Sequence, residues 1–289
     1  MEMLEDLLAK TKDEIDRDFG ISFFSPANSL ESTTEAMHYM LNLGAGGKRL
    51  RPAIVMAVVN GFEGNRAKGM QFARAVEYLH TYTLILDDIQ DESSLRRGMP
   101  ACHVRFGVNT AMLAAGRLYE RGLRPFHQYD IDTSLFETLC DRLHMGQAAD
   151  LNVAGWPQEM MTLESLQFIH SGKTASLIQM AALGGCFSSG LDSRQTGHLL
   201  EYGHYIGLAF QAQDDALCLA SDSESLGKPA GSLVDRNKLT YTFFYEDRDF
   251  ISDEVRKLAC KAKEQLGVFN RSQVELLVQL ADHIIQRGK

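Results

Sequence analysis

Val76-Glu77-Tyr78-Leu79-His80-Thr81-Tyr82-Thr83-Leu84-Ile85-Leu86-Asp87-Asp88-Ile89-Gln90-Asp91 is the stretch that decides the fold. Val76, Leu79, Tyr82, Thr83 and Leu86 fall at i, i+3, i+6, i+7 and i+10, along one face of a helix. The helix runs into a dense acidic end, and Arg96-Arg97-Gly98 follow shortly after. Asp87 and Asp91 are four residues apart, so both carboxylates leave the same helical face. Carboxylates packed this closely repel one another unless cations sit between them, and an acidic last turn opposes the helix dipole. Such a pair can chelate a hard cation. Mg²⁺ suits one or two protein carboxylates completed by water and phosphate oxygens. A plain solvated helix end is the rival reading, and Arg96 and Arg97 argue against it.

Helical periodicity continues outward from this stretch, and strand-like alternation is scarce. Breaks are expected at Ser25 to Asn28, Gly44 to Gly47, Gly61 to Gly64, Gly98-Met99-Pro100, Gly155-Trp156-Pro157 and Ser221 to Ser232. Roughly ten helices remain between them. Thr162-Leu163-Glu164-Ser165 carries the chemistry of a helix start. With 45% hydrophobic residues, six prolines and no low-complexity linker, the chain reads as one all-α domain over residues 1–289, a bundle around a central cavity. A net charge of −9 excludes a general nucleic-acid binder but leaves room for a local anion site. The five cysteines form no Cys-x-x-Cys pair, so neither a disulfide framework nor a zinc site is indicated, and a reducing, cytoplasmic setting is expected. The acidic, amphipathic start is neither a signal nor a transit peptide. The uncharged run from Thr174 to Leu191 contains Ser176, Gln179, Ser188 and Ser189, and is expected to be a buried central helix rather than a membrane span.

Three further stretches carry chemistry. Phe210-Gln211-Ala212-Gln213-Asp214-Asp215 is a second acidic end after an apolar run, and Lys228 and Lys238 follow it. In Gly46-Gly47-Lys48-Arg49-Leu50-Arg51-Pro52, the glycines allow close approach of the backbone to an anion. Lys48 and Arg51 are spaced to converge on one phosphate. Lys173-Thr174 opens the apolar run, where a lysine either snorkels or clamps a phosphate at a cavity mouth. His80 lies two turns before Asp87 on a similar face, the position of an ordinary core histidine. Acids for Mg²⁺, bases for phosphate and an apolar wall behind them suggest a diphosphate attached to a hydrocarbon.

These blocks, in this order, resemble the trans-isoprenyl diphosphate synthases of the polyprenyl synthase family. The matching residues are Gly46 to Pro52, Asp87 to Asp91 with Arg96-Arg97-Gly98, Gly146-Gln147-Ala148-Ala149-Asp150, Lys173-Thr174 and Phe210 to Asp215, with Gly227-Lys228 and Lys238 at family-like spacing. The resemblance implies the all-α isoprenoid synthase fold. It implies head-to-tail joining of isopentenyl diphosphate to an allylic diphosphate, with loss of diphosphate. By the same resemblance, Asp87, Asp91 and Asp214 hold Mg²⁺, three ions with substrate bound, and Asp88 and Asp215 support them. Arg96, Lys173, Lys228 and Lys238 bind the leaving diphosphate. Gly47, Lys48, Arg51, His80 and Arg97 hold isopentenyl diphosphate, while Thr174 and Gln211 place oxygen dipoles near the developing cation. A homodimer is expected.

Two positions depart from the family pattern, because Cys218 and Leu233 stand where an Asp is frequent. Tyr82 and Thr83 lie five and four residues before Asp87, where the floor of the product cavity is expected, and there is no insertion in the first motif. A lone aromatic at the fifth position resembles geranylgeranyl (C20) synthases, with farnesyl (C15) second. A class I terpene cyclase-like enzyme would account for the thinner second cluster but has no use for Lys48, Arg51 and Arg97. A subunit of a heterodimeric prenyl synthase would tend to lose the first motif, which is intact here.

Overall fold

The computed structural model describes residues 2–21, 28–43, 47–129, 131–220, 238–245 and 248–286. It is helical nearly throughout. The helices are α1 (Glu2–Ile21), α2 (Asn28–Asn42), α3 (Leu50–Gly61), α4 (Arg66–Gln90), α5 (Cys102–Phe106), α6 (Val108–Gln128) and α7 (Ser134–Asn152). They continue as α8 (Leu163–His170), α9 (Ser176–Ser189), α10 (Ser193–Ala220), α11 (Tyr241–Phe244), α12 (Arg248–Gln265) and α13 (Arg271–Gln286). Among the described residues the strands are β1 (Leu95–Arg96) and β2 (Met99–Pro100), an antiparallel hairpin pairing Arg96 with Met99. Arg97 and Gly98 form its two-residue turn with φ of 54° and 74°, the paired positive values of a type I′ turn.

Helix α4 carries the run from Val76 to Gln90. Asn65 starts it, its side-chain oxygen accepting the Lys68 N–H at 3.0 Å. Val76 and Leu79 are buried in the core, whereas Tyr82, Thr83 and Leu86 line a cavity. One apolar stripe therefore serves first as core and then as cavity wall. Helices α3, α6 and α9 pack around α4. The expected helix start at Thr162 is present, its Oγ1 accepting the Ser165 N–H at 3.2 Å.

Helix α9 comes from the uncharged run and is buried on every side except at Phe187 and Ser189. Some of its polar groups find partners in the bundle, with Ser188 Oγ donating to Gly184 O at 2.7 Å and Gln179 Nε2 to Leu200 O at 3.2 Å, while Gln179 Oε1 and Ser189 Oγ are buried without one. Gly184 and Gly185 let neighbouring helices close in. A Cβ at Gly184 would lie 2.7 Å from Phe72 Cβ, and one at Gly185 would lie 2.6 Å from Val58 Cβ. No helix among the described residues is long and apolar enough to cross a membrane.

Candidate active site

The acidic end of α4 is held by cations brought from three other parts of the chain. Asp88 is fully buried and gripped by Arg96 of the hairpin, with Nε at 2.9 Å from Oδ1 and 3.0 Å from Oδ2, and Nη2 at 2.6 Å from Oδ1. The tight turn at Arg97-Gly98 folds Arg96 back onto the helix it follows, and Ser93 N–H donates to Asp88 O at 2.9 Å. Burial opposes the Arg96 charge, but its bonds to Asp88 and the charges of Asp88 and Asp87 outweigh that and raise its pKa. Asp87 accepts from Lys173 Nζ at 2.6 Å and from Gln147 Nε2 at 3.3 Å. Burial pushes the Asp87 carboxyl up, yet Lys173, Lys238 and Arg96 together bring it below the usual carboxylate range. Asp91 follows the last turn, its N–H donating to Asp87 O at 2.8 Å, and its carboxylate pairs with Lys238.

Lys173 reaches Asp87 because of an irregular backbone. Ser171–Ala175 forms a π-helical turn between α8 and α9, a distortion frequent at functional sites. Glycines let that turn be gripped on two sides. A Cβ at Gly146 would stand 2.4 Å from Lys173 N, and one at Gly207 would stand 2.4 Å from Ala175 Cα. Asp150, one turn beyond Gly146, is buried and accepts from Lys173 Nζ at 2.6 Å while lying 3.5 Å from Lys238 Nζ. It bridges the two lysines. Asp150 stands in the Gly146 to Asp150 motif without an assigned role in the sequence, and only the fold brings it between Lys173 and Lys238.

The second acidic end divides. Asp214 lines the same cavity as Asp87, Arg96 and Lys173. Asp215 turns away, accepting Tyr241 N–H at 2.9 Å and Gln211 Nε2 at 3.2 Å, with His170 Nε2 at 4.0 Å. Burial raises its pKa to about 6. His170 is buried as well, and its pKa falls to about 4 for that reason. Thr174 Oγ1 donates to Gln211 Oε1 at 3.0 Å, so a continuous chain runs Thr174–Gln211–Asp215. Lys228, Gly227 and Leu233 lie outside the described residues, as do Gly46 and the side chain of Cys218.

The cavity holds about 340 Å³. Acids and bases ring one end, and Leu84, Leu86, Leu143, Leu177 and Phe210 form its apolar wall. Tyr82 stands away from the acids, its ring 4.9 Å from that of Tyr119 and its hydroxyl 3.2 Å from His144 Nε2. Thr83 commits its hydroxyl to His80 O at 2.8 Å.

A second cavity of about 330 Å³ adjoins the first and shares Arg51, His80, Arg97 and Phe210 with it. Gly47 and Lys48 line it too, together with Leu8 of α1 and His283 of α13. A Cβ at Gly47 would stand 2.8 Å from Arg97 Nη2, so a side chain there would displace that guanidinium. Three neighbouring cations of one motif separate here. All three line this cavity, but Arg49 is committed to ion pairs with Asp16 at 2.7 Å and with Glu77, while Arg51 also reaches the first cavity. Arg51 Nε is buried without a partner, and desolvation lowers the Arg51 pKa. Burial and the surrounding arginines hold His80 neutral.

Among the described residues, no three of His, Cys, Asp and Glu already form a metal cluster. The donor chemistry still fits Mg²⁺, because Asp87 and Asp214 bring hard oxygen donors to one cavity and Asp91 leaves the same end of α4.

Residues 31–267 match the family model described as polyprenyl synthetase. The chain belongs to that family. It is 38% identical over 221 residues to the farnesyl diphosphate synthase of Geobacillus stearothermophilus, covering 72% of this chain and 73% of that one. It is 35% identical over 266 residues to geranylgeranyl pyrophosphate synthase 10 of Arabidopsis thaliana, covering 88% of this chain and 76% of that one. The geranylgeranyl pyrophosphate synthetase structure of Pyrococcus horikoshii superposes with a TM-score of 0.83 at 27% identity, over 98% of this chain and 99% of that one. A polyprenyl synthase from Caulobacter crescentus, complexed with calcium and isoprenyl diphosphate, gives 0.79 at 26% identity, over 100% and 97%. This family member is an enzyme, a prenyltransferase, with the isoprenyl synthase fold.

Proposed function

We propose that the chain condenses isopentenyl diphosphate with an allylic diphosphate, head to tail, to make geranylgeranyl diphosphate, with farnesyl diphosphate as the second candidate. The observation that carries this reading is the pair of adjoining cavities. One has acids at its mouth and an apolar, tyrosine-ended interior; the other is basic; and His80, Arg51, Arg97 and Phe210 form their common wall.

The allylic diphosphate occupies the acidic mouth, with Asp87, Asp91 and Asp214 as the residues that hold Mg²⁺. When bound, the metal neutralises the diphosphate and eases departure of that leaving group. Lys173, Lys238 and Arg96 add positive charge on the protein side, and Lys228 is assigned to the same group. Asp88 keeps Arg96 in place, and Asp215 fixes Gln211 and, through it, Thr174. With its proton given to Gln211, Thr174 Oγ1 presents lone pairs to the cavity, where an allylic cation develops. Neutral His80 adds no repelling charge there. Isopentenyl diphosphate takes the second cavity, held by Lys48, Arg51 and Arg97 with the backbone of Gly47. Its double bond then faces the cation across the shared wall. The released diphosphate accepts the last proton, and no separate protein base is needed.

The whole chain acts as one unit and as a homodimer in a reducing, cytoplasmic setting. Val104, Val108, Met112 and Leu113 of α5 and α6 are exposed apolar side chains on consecutive elements and support that pairing. The deciding experiment supplies purified protein with labelled isopentenyl diphosphate, each allylic primer in turn, and Mg²⁺. Label in a C20 diphosphate is expected. A hydrocarbon without label would replace this reading with a cyclase.

A further inference from the structure

Arg49 stands between Lys48 and Arg51, the two cations of its motif assigned to isopentenyl diphosphate, and the proposed reaction gives it no part. Its side chain is only 1% exposed. Nε and Nη2 donate to Asp16 Oδ1 of α1 at 2.9 and 2.7 Å. Nη2 also donates to Leu41 O in the last turn of α2, and Nη1 donates to Glu77 of α4. A planar fork bonded to three helices in this way has one orientation, which a lone ammonium would not fix. The backbone at Arg49 is left-handed, with φ 50° and ψ 37°, immediately before α3. Side chains are strained in that region, and such strain persists where the surroundings hold it. The Arg49 carbonyl accepts Ala53 N–H at 3.0 Å and so starts the helix that carries Arg51. The same partners serve the other cations of the cavity. Leu43 O, just past the end of α2, accepts Arg97 Nη1 at 3.2 Å. Carbonyls at a helix C-terminus lack intrahelical donors and favour cations. Glu77 lines the cavity, and its charge also favours the ionised forms of Arg51 and Arg97. Helix α1, which supplies Asp16, also brings Leu8 to the cavity wall.

We propose that Arg49 is a positioning residue for isopentenyl diphosphate, a role that rests on the function proposed above. By tying α1, α2 and α4 together it holds the Lys48 loop and the first turn of α3 where Lys48 and Arg51 meet one diphosphate. Its own guanidinium stays on Asp16, Glu77 and Leu41 O and touches no substrate. Asp16 completes the device from α1, so the helix at the start of the described chain acts on the substrate cavity through a single ion pair. The acidic mouth, where the allylic diphosphate is placed, draws on Arg96, Lys173 and Lys238 and is independent of this network.

Arg49→Lys keeps the charge and loses the fork, so a purely electrostatic contribution predicts no change. Steady-state kinetics on the intact protein, with each substrate varied in turn, read the outcome. KM for isopentenyl diphosphate should rise at least about tenfold in Arg49→Lys, while KM for the allylic diphosphate stays within about twofold. Asp16→Asn should raise KM for isopentenyl diphosphate several-fold; at a side chain 25% exposed, it decides the matter if Arg49→Lys misfolds. Titration calorimetry with isopentenyl diphosphate in EDTA should show the same loss of affinity without turnover. A role in folding alone would lower the active fraction and kcat with both KM values unchanged, and that result overturns the proposal. An equal rise in both KM values overturns it too. Wild type that neither binds nor incorporates isopentenyl diphosphate overturns the proposed function and this role with it. Wild type that does both, beside variants with wild-type KM values, overturns the role of Arg49 alone.

Discussion

Replacing Tyr82 by alanine should lengthen the product by a defined amount. Under the proposed function Tyr82, which lines the cavity, is the floor of its apolar interior, supported by the Tyr119 ring at 4.9 Å and by His144 Nε2 at 3.2 Å from its hydroxyl. On α4, the next residues below it on that face are Tyr78 and Arg74. At 1.5 Å of rise per residue these lie about 6 Å and about 12 Å further along. A prenyl unit adds four chain bonds, each advancing about 1.25 Å, so it spans about 5 Å. Removing Tyr82 therefore admits one more unit before Tyr78 and two before Arg74, a polar side chain that hydrocarbon would have to desolvate. The expected main product shifts from C20 to C25, with C30 as the ceiling. The half-buried ring and its bond to His144 cost about 2–3 kcal/mol of stability, which leaves a folded enzyme. Chromatography of dephosphorylated products from each primer reads the outcome. An unchanged product in an active variant refutes Tyr82 as the floor, and an open-ended ladder of long chains refutes Tyr78 and Arg74 as the next stop.

Asp150→Asn removes the carboxylate bridging Lys173 and Lys238 and should lower kcat/KM for the allylic diphosphate about 10- to 100-fold. KM for isopentenyl diphosphate should stay unchanged; equal losses for both substrates would contradict a local role. Gly207→Val forces atoms against the backbone of Ala175 and should cost about 3 kcal/mol or more in urea unfolding, with the π turn displaced. Asp215 has its folded pKa raised to about 6, so the fold favours the protonated acid. That contribution is complete below pH 4 and falls as pH rises to about 6, a loss of about 3 kcal/mol. His170, depressed to about 4, works in the opposite direction, because its contribution is present above pH 6.5 and is lost as pH falls toward 4. The two slopes oppose in the wild type. Asp215→Asn keeps an acceptor for Tyr241 N–H and leaves only the His170 slope, so its stability should climb more steeply between pH 4 and 6.5. Parallel denaturation profiles for variant and wild type would exclude this account.

Local spacing was enough to set the helices and the motifs they carry. The stripe from Val76 to Leu86 and the i, i+4 pair Asp87 and Asp91 are local, and helix phase follows from local periodicity. The buried character of the Thr174 to Leu191 run was equally legible, because the run carries no charge and its serines and Gln179 argue for protein rather than lipid around it. The hairpin at Arg96–Met99 was hidden, since a two-residue strand carries no periodic signal. Tertiary structure alone decided which charges work together. Arg49 and Arg51 are two residues apart, yet one is committed to Asp16 and Glu77 and the other lines both cavities. Adjacent Asp214 and Asp215 likewise face the cavity and the Tyr241 backbone. Lys173 meets Asp87 across 86 residues and Lys238 meets Asp91 across 147. Those meetings depend on a π turn, on glycines that let α7 and α10 close on it, and on the path of the whole chain. An electrostatic pair needs a distance, and spacing along a sequence fixes distance only within a few helical turns.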